Sequence, residues 1–275
     1  MNQQQKTELQ KIANKVRVDI IEEVHSAKSG HPGGSLSIAD ILTYLYFNEM
    51  NIDPKNPDMA DRDRFVLSKG HTCPALYAVL AERGYFDVEL LKTFRKIDSI
   101  LQGHPDMKYI PGVDMSSGSL GQGISAACGM ALSAKLDKKD YRVYAVLGDG
   151  EIEEGQVWEA FMFASHYKLT NLCAIIDRNG LQIDGKTSDV MSTEPLEEKM
   201  AAFGFNVIVA DAHNFDEIEK AFANAKAETE KPSVIIANSV KGKGVSFMEN
   251  NVSWHGSAPN DEQYAQAIKE LGEDA

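Results

Sequence analysis

The spacing of apolar residues changes repeatedly along the chain, and each spacing predicts a type of element. From Leu9 to Val24, apolar side chains recur every three or four residues, which predicts an amphipathic helix that ends near Ser29-Gly30. Later apolar runs are short, rich in β-formers and bounded by turn residues, so they predict buried strands. These runs are 65–67, 142–147, 172–176, 206–210 and 233–239.

Helical stretches separate the strands. They cover 37–48, 74–83, 87–96, 124–136, 155–168, 215–229 and 261–271, and a further helix ends at 200–203. Ser37 and Thr72 are expected to cap the first two of these, and Met162 to lie on the buried face of 155–168. A turn is expected at 30–34 and a loop at 53–64. The alternation predicts an α/β fold, a single domain over 1–275 with a doubly wound, mostly parallel sheet and helices on both faces.

Composition excludes several classes of protein. Acidic residues outnumber basic ones, 41 against 28, and the formal charge is −13 without a basic cluster, so nucleic acid is not an expected partner. Cys73, Cys128 and Cys173 are widely spaced and odd in number, which predicts reduced, mostly buried thiols of a cytosolic protein. The N-terminus is polar and no run approaches about 18 apolar residues, so we expect neither a signal peptide nor a membrane span.

Polar residues follow two of the strands at the point where each ends. Asp149, between Gly148 and Gly150, follows the strand at 142–147, and Asn179 follows the strand at 172–176. The carboxyl ends of parallel strands share one edge of the sheet, so these side chains should lie close together. Their oxygens suit Mg²⁺ or Ca²⁺ rather than zinc, and a loop carbonyl such as that of Leu181 and two oxygens of a bound diphosphate would nearly complete an octahedron. A divalent cation would also screen an anionic ligand from this acidic chain.

Glycine-flanked histidines are a second candidate for chemistry. His31, His71, His104 and His255 each touch a glycine, although the chain has only 21 glycines and 7 histidines. A histidine on such a turn faces a cleft and suits proton transfer or hydroxyl binding near neutral pH. We assign no chemistry to the other histidines, which are His25, His166 and His213.

The segment from Gly148 to Gly185 resembles the thiamine diphosphate motif of the transketolase family. The resemblance rests on Gly148-Asp149-Gly150, Glu154-Gly155 and Asn179, followed by Leu181, Ile183 and Asp184-Gly185. It implies thiamine diphosphate and Mg²⁺ as cofactors, with the metal on Asp149, Asn179 and Leu181. The cofactor contacts that it implies are His71, Gly118, Ser119, Leu120, Gly150, Glu151, Asn179, Ile183, Lys241 and His255.

The resemblance also assigns roles to the four histidines. His31 and His255 match histidines that meet the sugar hydroxyls, and His71 and His104 match those that line the pocket between cofactor and donor. Glu154 matches an acid at the subunit interface. The chain departs from the family pattern at Ser119, where proline is more frequent, and at Arg178, where relatives carry a second acid.

The resemblance covers only the diphosphate-binding part of a full transketolase. In that family, a separate pyrimidine-binding domain carries the glutamate that ionises the cofactor and the arginines that hold the sugar phosphate. We therefore expect the N-terminal subunit of a split transketolase, which forms a heterotetramer with a C-terminal subunit. Such an enzyme passes a two-carbon ketol unit from a ketose to an aldose, and the cofactor supplies the chemistry.

Other functions stay open at this point. The chain could be the α subunit of a 2-oxoacid dehydrogenase, the front part of a deoxyxylulose phosphate synthase, or a cofactor-binding module without catalysis. The histidine set, especially His255 after Lys241, favours transketolase. A dinucleotide-binding domain is disfavoured because no Gly-x-Gly-x-x-Gly follows the first strand. The sugars themselves, whether phosphorylated, sulfonated or branched, are not specified by this chain.

Overall fold

The computed structural model describes residues 1–273. A long N-terminal helix, α1, covers Gln3–Ala27 and begins with a capping box between Asn2 and Gln5, whose side chains each accept a hydrogen bond from the other's backbone N–H. The other helices are α2 (Pro32–Leu36), α3 (Ala39–Tyr44), α4 (Cys73–Arg83), α5 (Gln122–Leu136), α6 (Gly155–His166), α7 (Thr187–Val190), α8 (Leu196–Ala202), α9 (Phe215–Ala227) and α10 (Asp261–Glu273). The strands are β1 (Arg64–Leu67), β2 (Val143–Gly148), β3 (Leu172–Arg178), β4 (Leu181–Gln182), β5 (Gly185–Lys186), β6 (Asn206–Asp211) and β7 (Ser233–Asn238).

The main sheet has five strands in the order β1-β2-β3-β7-β6, and every neighbouring pair is parallel. The chain moves from the edge strand β1 inward to the central strand β3, crosses to the opposite edge strand β6, and returns to β7 beside β3. The strand order therefore reverses between β3 and β7, the position at which ligands bind in open α/β sheets. The short strands β4 and β5 form a separate antiparallel pair just beyond β3.

Alternate side chains of the strands belong to two separate hydrophobic cores, one on each face of the sheet. On β2, Tyr144 and Val146 pack with α1, α3, α4 and α9, whereas Val143, Ala145 and Leu147 pack with α5, α6 and α8. A strand buried on both faces in this way is the reason that the sequence shows a continuous apolar run rather than alternation. The predicted doubly wound, mostly parallel fold is confirmed.

Some local predictions were wrong. Ser37 is not an N-cap: it is the C-terminal cap residue of α2, α3 begins after Ile38, and the Ser37 hydroxyl donates to the Gly34 carbonyl and to Asp177. Thr72 is the N-cap residue of α4, as predicted, but its hydroxyl donates back to the Lys69 carbonyl and not to the helix. Met162 is 56% exposed on α6, not buried.

Three segments also differ from their predicted form. The expected turn at 30–34 contains the start of α2, the helix expected at 87–96 is a 3₁₀ helix over Val88–Thr93, and a π-helical turn, Leu45–Glu49, extends α3. All three cysteines are buried and free. Within residues 1–273, every helix is too short or too polar to cross a lipid bilayer.

Candidate active site at the carboxyl ends of the strands

A cavity of about 340 Å³ opens at the carboxyl ends of β1, β2 and β3. Its wall is built from loops that follow these strands and from the loop after β7. Most residues that the sequence proposed for this site lie on it, namely His71, Leu120, Asp149, Gly150, Glu151, Glu154, Asn179, Leu181, Ile183, Lys241 and His255. The parallel register explains this convergence, because Gly148 pairs with Asp177 and both strands end together.

Asp149 and Asn179 lie on the same wall of the cavity. The Asp149 carboxylate accepts hydrogen bonds from the Gly150 N–H at 3.0 Å and the Gly180 N–H at 2.6 Å, so it bridges the two strand-end loops. The Asn179 amide oxygen accepts from the Leu181 N–H at 3.1 Å. Burial, followed by the charge of Asp177, raises the pKa of Asp149 to about 6. A carboxylate in this position is stabilised by a nearby cation.

Asp177 and Lys69 form a buried centre beneath the cavity that the sequence did not reveal. Lys69 Nζ donates to Asp177 Oδ2 at 2.6 Å and to the Gly34 carbonyl at 3.0 Å. The hydroxyls of Ser37 and Ser239 and the amide of Asn179 also donate to the Asp177 carboxylate. Burial acts to raise the pKa of Asp177, but Lys69 and the hydroxyl donors outweigh it and hold the pKa below its usual value. The signal in the sequence was the position of Lys69, two residues after the end of β1.

Lys241 reaches across the cavity from the loop after β7. Its Nζ donates to the Leu181 carbonyl at 2.9 Å and lies 2.9 Å from His255 Nδ1. Burial, with the charge of Lys69, lowers the pKa of Lys241 to about 8. The Leu181 carbonyl, which was expected to bind a metal, is therefore hydrogen-bonded to the Lys241 ammonium group.

Glu151 joins three loops rather than facing the cavity with a free carboxylate. Its carboxylate accepts from the Ser68 hydroxyl at 2.5 Å and from the N–H groups of Gly121 and Gly148, each at 3.0 Å. It is only 3% exposed, and burial raises its pKa above the usual value. These hydrogen bonds fix the loops after β1 and β2 relative to the start of α5.

Three of the four predicted histidines form a cluster beside Lys241. The ring centroids of His31, His71 and His255 are 5.0, 5.3 and 5.6 Å apart. Burial lowers the pKa of His31 to about 4, that of His71 to about 2 and that of His255 to about 3, and nearby cationic side chains lower them further. The cluster is therefore uncharged at neutral pH, and its unprotonated ring nitrogens can accept hydrogen bonds.

The remaining predicted residues lie around the rim. His104 is exposed and makes no ring contact with the other three, although its ring packs over Gly118, where an added Cβ would be 3.2 Å from His104 Cγ. Ser119 is exposed beside it, and Leu120 reaches the cavity. Glu154 is exposed at the start of α6.

The donors on the cavity wall fit a magnesium diphosphate group. Asp149, Asn179 and the Leu181 carbonyl offer only oxygen, which suits Mg²⁺. Among the described residues, no group of three or more His, Cys, Asp or Glu side chains could hold a metal without further ligands, so phosphate oxygens would have to complete the coordination. Lys241 adds positive charge at the same point. The buried Gln182 Oε1, which also lines the cavity, has no hydrogen-bond partner within residues 1–273 and offers an acceptor to a ligand.

The fold and this site together are those of an α/β domain whose cavity at the strand ends offers oxygen ligands and a lysine to an anionic group. Comparison with known proteins identifies the family. The family model described as "Transketolase, thiamine diphosphate binding domain" matches residues 8–275, and the chain belongs to this family. The cofactor predicted from the sequence, thiamine diphosphate, is confirmed at the level of the family.

Two relatives match this chain over nearly their whole length. The "6-deoxy-6-sulfo-D-fructose transketolase subunit SqwG" of Clostridium sp. (strain MSTE9) is 48% identical over 268 residues, which is 98% of each chain. A relative from Phocaeicola vulgatus, named as one of the subunits of apulose-4-phosphate transketolase, is 44% identical and covers 97% of this chain and 94% of its own. The prediction of a transferase subunit, the N-terminal part of a split transketolase, is thereby confirmed.

Longer transketolases contain the same unit as a part. The solved transketolase of Campylobacter jejuni superposes with a TM-score of 0.92 at 36% identity, over 99% of this chain but 43% of its own length. Human transketolase is 43% identical over 98% of this chain and 43% of its own length. More than half of each single-chain enzyme has no counterpart in this chain.

Proposed function

We propose that this chain is the N-terminal subunit of a magnesium-dependent transketolase that moves a two-carbon ketol unit from a ketose to an aldose. The proposal is carried by one observation: a single cavity combines the Asp149, Asn179 and Leu181 oxygens with Lys241 and two neutral histidines, His71 and His255. The chain would form the diphosphate-binding domain of an enzyme that is built from two different subunits. The subunit relatives, which match from end to end, support this division.

Residues of this chain would hold the cofactor by its charged end. Asp149, Asn179 and the Leu181 carbonyl would bind Mg²⁺, and Lys241 would contact the diphosphate. Gly150 allows its main chain to pack closely against Gln182, because an added Cβ at Gly150 would lie 3.0 Å from Gln182 Cβ. Bound thiamine diphosphate supplies the nucleophilic carbon at which the carbon–carbon bond of the donor is cleaved and re-formed.

The histidine cluster would handle protons and hydroxyl groups of the sugar. Because burial keeps His31, His71 and His255 unprotonated at neutral pH, each ring has a nitrogen that can accept a hydrogen bond from a hydroxyl group. His31 Nδ1 is buried and has no hydrogen-bond partner among residues 1–273. His104, on the exposed rim, would meet the donor as it enters.

A second chain would close the site. Leu120 is 38% exposed and Ile183 67% exposed at the mouth of the cavity, and Met162 is 56% exposed on α6. Apolar side chains in these positions favour burial against a partner. The partner that fits is a C-terminal subunit with the pyrimidine-binding domain, which supplies the part of single-chain transketolases that this chain lacks. We propose a heterotetramer with two copies of each subunit, in which Glu154 lies at the interface.

The substrate class follows from the subunit relatives and from what this chain lacks. One relative is named for 6-deoxy-6-sulfo-D-fructose and the other for apulose-4-phosphate. Both names describe sugars with an anionic group far from the carbonyl. We propose an anionic ketose donor for this chain, with its sulfonate or phosphate bound by the C-terminal subunit, because the histidine cluster would meet only the hydroxyl end of the sugar.

The test is ketol transfer by separately produced subunits. The isolated chain, the C-terminal subunit and their mixture are each supplied with Mg²⁺, thiamine diphosphate, an aldose phosphate acceptor and one ketose. The ketose series consists of a 6-sulfonated ketose, its 6-phosphate analogue and the unsubstituted sugar. We expect transfer by the mixture alone, and only from the anionic donors.

Three outcomes would contradict parts of the proposal. Full activity of the isolated chain would exclude the need for a partner. Turnover of pyruvate without any transfer from ketoses would assign the site to 2-oxoacids. Equal turnover of the unsubstituted ketose would remove the anionic-donor requirement while leaving the transketolase reaction in place.

A further inference from the structure

His213 connects a buried ion pair to the loop that carries Lys241. It lies in the turn between β6 and α9, on the opposite side of the β7 end from the cavity. Its Nδ1 is 2.7 Å from Asp40 Oδ2, and its Nε2 is 2.9 Å from the backbone nitrogen of Val240. Arg17 Nη2 donates to the same Asp40 oxygen at 2.5 Å. Arg17 and Asp40 are 3% and 2% exposed, whereas the His213 side chain is 13% exposed, and all three residues line one surface pocket.

The hydrogen bonds fix the tautomer of the ring. The Val240 N–H can only donate, so His213 Nε2 carries no proton and Nδ1–H donates to Asp40. Burial acts to raise the pKa of Asp40, but Arg17 and His213 outweigh it and hold the pKa at about 2. The carboxylate is therefore ionised, and it holds the ring in one orientation with Nε2 aimed at Val240.

Val240 is the residue before Lys241, and the lysine has little room to adjust. The Lys241 carbonyl accepts from the Asn250 N–H at 2.9 Å, and the next residue, Gly242, donates to the Gly33 carbonyl at 2.9 Å. A Cβ added at Gly33 would lie 3.1 Å from Lys241 Cγ, so the lysine side chain runs directly over that glycine. The reach of Nζ to the Leu181 carbonyl therefore depends on where the backbone at Val240 lies.

We propose that His213 is a positioning residue that fixes the backbone at Val240 and thereby places the Lys241 ammonium group in the cavity. This inference rests on the proposed function, in which Lys241 meets the diphosphate. Loss of the Nε2 acceptor leaves the Val240 N–H without its partner, and the loop shifts until another acceptor is found. Lys241 then no longer meets the Leu181 carbonyl and His255 at the distances seen here.

Two substitutions separate the two ring nitrogens. His213→Asn retains an amide near the Nδ1 position for Asp40 and has nothing at the Nε2 position. His213→Gln extends an amide oxygen toward Val240 and so can restore that hydrogen bond. Both variants are made in the full chain and measured in complex with the C-terminal subunit. The control is His25→Asn, because His25 is also paired with an aspartate, Asp261, at 2.9 Å but lies on α1 away from this loop.

Two measurements that do not use catalysis test the proposal. The first is hydrogen–deuterium exchange of the Val240 amide, resolved by fragmentation, and the second is the Kd of magnesium thiamine diphosphate from tryptophan fluorescence. For His213→Asn we expect faster exchange and a Kd weakened by about fivefold or more, the factor expected from one lost hydrogen bond of about 1 kcal/mol. We expect His213→Gln to recover most of both effects and His25→Asn to match the wild type, with melting temperatures recorded for all.

Wild-type exchange at Val240 and a wild-type Kd in His213→Asn would overturn the proposal. So would an equal loss of affinity in His213→Asn and His213→Gln with no change in exchange, because the effect would then not pass through the Val240 N–H. If the wild-type complex itself failed to bind magnesium thiamine diphosphate, the proposed function would fail. The exchange comparison would still decide whether His213 positions the loop.

Discussion

Replacing Glu151 by glutamine tests whether this carboxylate holds the rim of the cavity together. The glutamine amide oxygen can still accept from Ser68 and Gly121, but its NH₂ group then faces the N–H of Gly148, which at present donates to Glu151 Oε2 at 3.0 Å. One charged hydrogen bond is lost and a buried donor is left unpaired.

The expected size of the effect follows from two opposing contributions. Hydrogen bonds to charged groups stabilise by about 1.5–3 kcal/mol, and an unpaired buried donor adds to the loss. Against this, burial raises the pKa of Glu151, so the neutral amide avoids part of the desolvation cost of the carboxylate. We expect a net destabilisation of about 1.5 kcal/mol, which lowers the melting temperature of a chain of this size by about 3–6 °C.

The assay is thermal unfolding of the isolated chain, followed by circular dichroism, together with the Kd of magnesium thiamine diphosphate in the complex. The matched control is Glu153→Gln in the same short 3₁₀ helix. Glu153 Oε1 has no hydrogen-bond partner within residues 1–273, so this substitution should lower the free energy of unfolding by less than about 0.5 kcal/mol. A melting temperature for Glu151→Gln within about 1 °C of the wild type would refute the role given to this carboxylate.

Further predictions concern the metal, the buried charges and the partner. Asp149→Asn removes the charged metal ligand and should weaken cofactor binding in the presence of Mg²⁺ by about 100-fold, measured by calorimetry on the complex; retained affinity would place the metal elsewhere. Lys69→Met leaves Asp177 buried without its cation and should lower the free energy of unfolding by about 3 kcal/mol in urea titrations, whereas an effect below about 1 kcal/mol would show that the pair is relieved by other donors. Burial raises the pKa of Asp19 to about 8, above its value in the unfolded chain, so the folded state keeps a proton that the unfolded state releases. This group therefore lowers stability as the pH rises from about 4 to about 8, and Asp19→Asn should flatten that slope in urea titrations at about pH 5 and about pH 8; an unchanged slope would contradict it. Met162→Lys should weaken association with the C-terminal subunit in sedimentation experiments while leaving the melting temperature of the isolated chain unchanged, and unaltered association would exclude this face of α6 from the interface.

Features set by local spacing could be predicted from the sequence. The parallel strands follow from apolar runs that must be buried on both faces, and the meeting of Asp149 and Asn179 on one wall follows from the shared edge of such a sheet. The glycine-flanked histidines likewise pointed to the cavity: His71 and His255 line it, and His31 packs against both rings.

Features set by contacts between distant segments could not be predicted in this way. Ser37 looked like a helix cap because the sequence shows only its neighbours, whereas its hydroxyl is held by Asp177, far along the chain. The pairing of His213 with Asp40 joins the turn after β6 to α3, two segments that no periodicity connects. Met162 was placed in the core because residue spacing shows that α6 has an apolar side, but it does not show where that side ends.

The shared carboxylate of Asp177 has a consequence for the rate at which the site is filled. Because it joins segments that follow α2, β1, β3 and β7, the conformational entropy of arranging these loops is lost when the chain folds and not when a ligand arrives. Binding then requires little reorganisation of the backbone, and its speed is limited by diffusion into the cleft and by docking of the second chain.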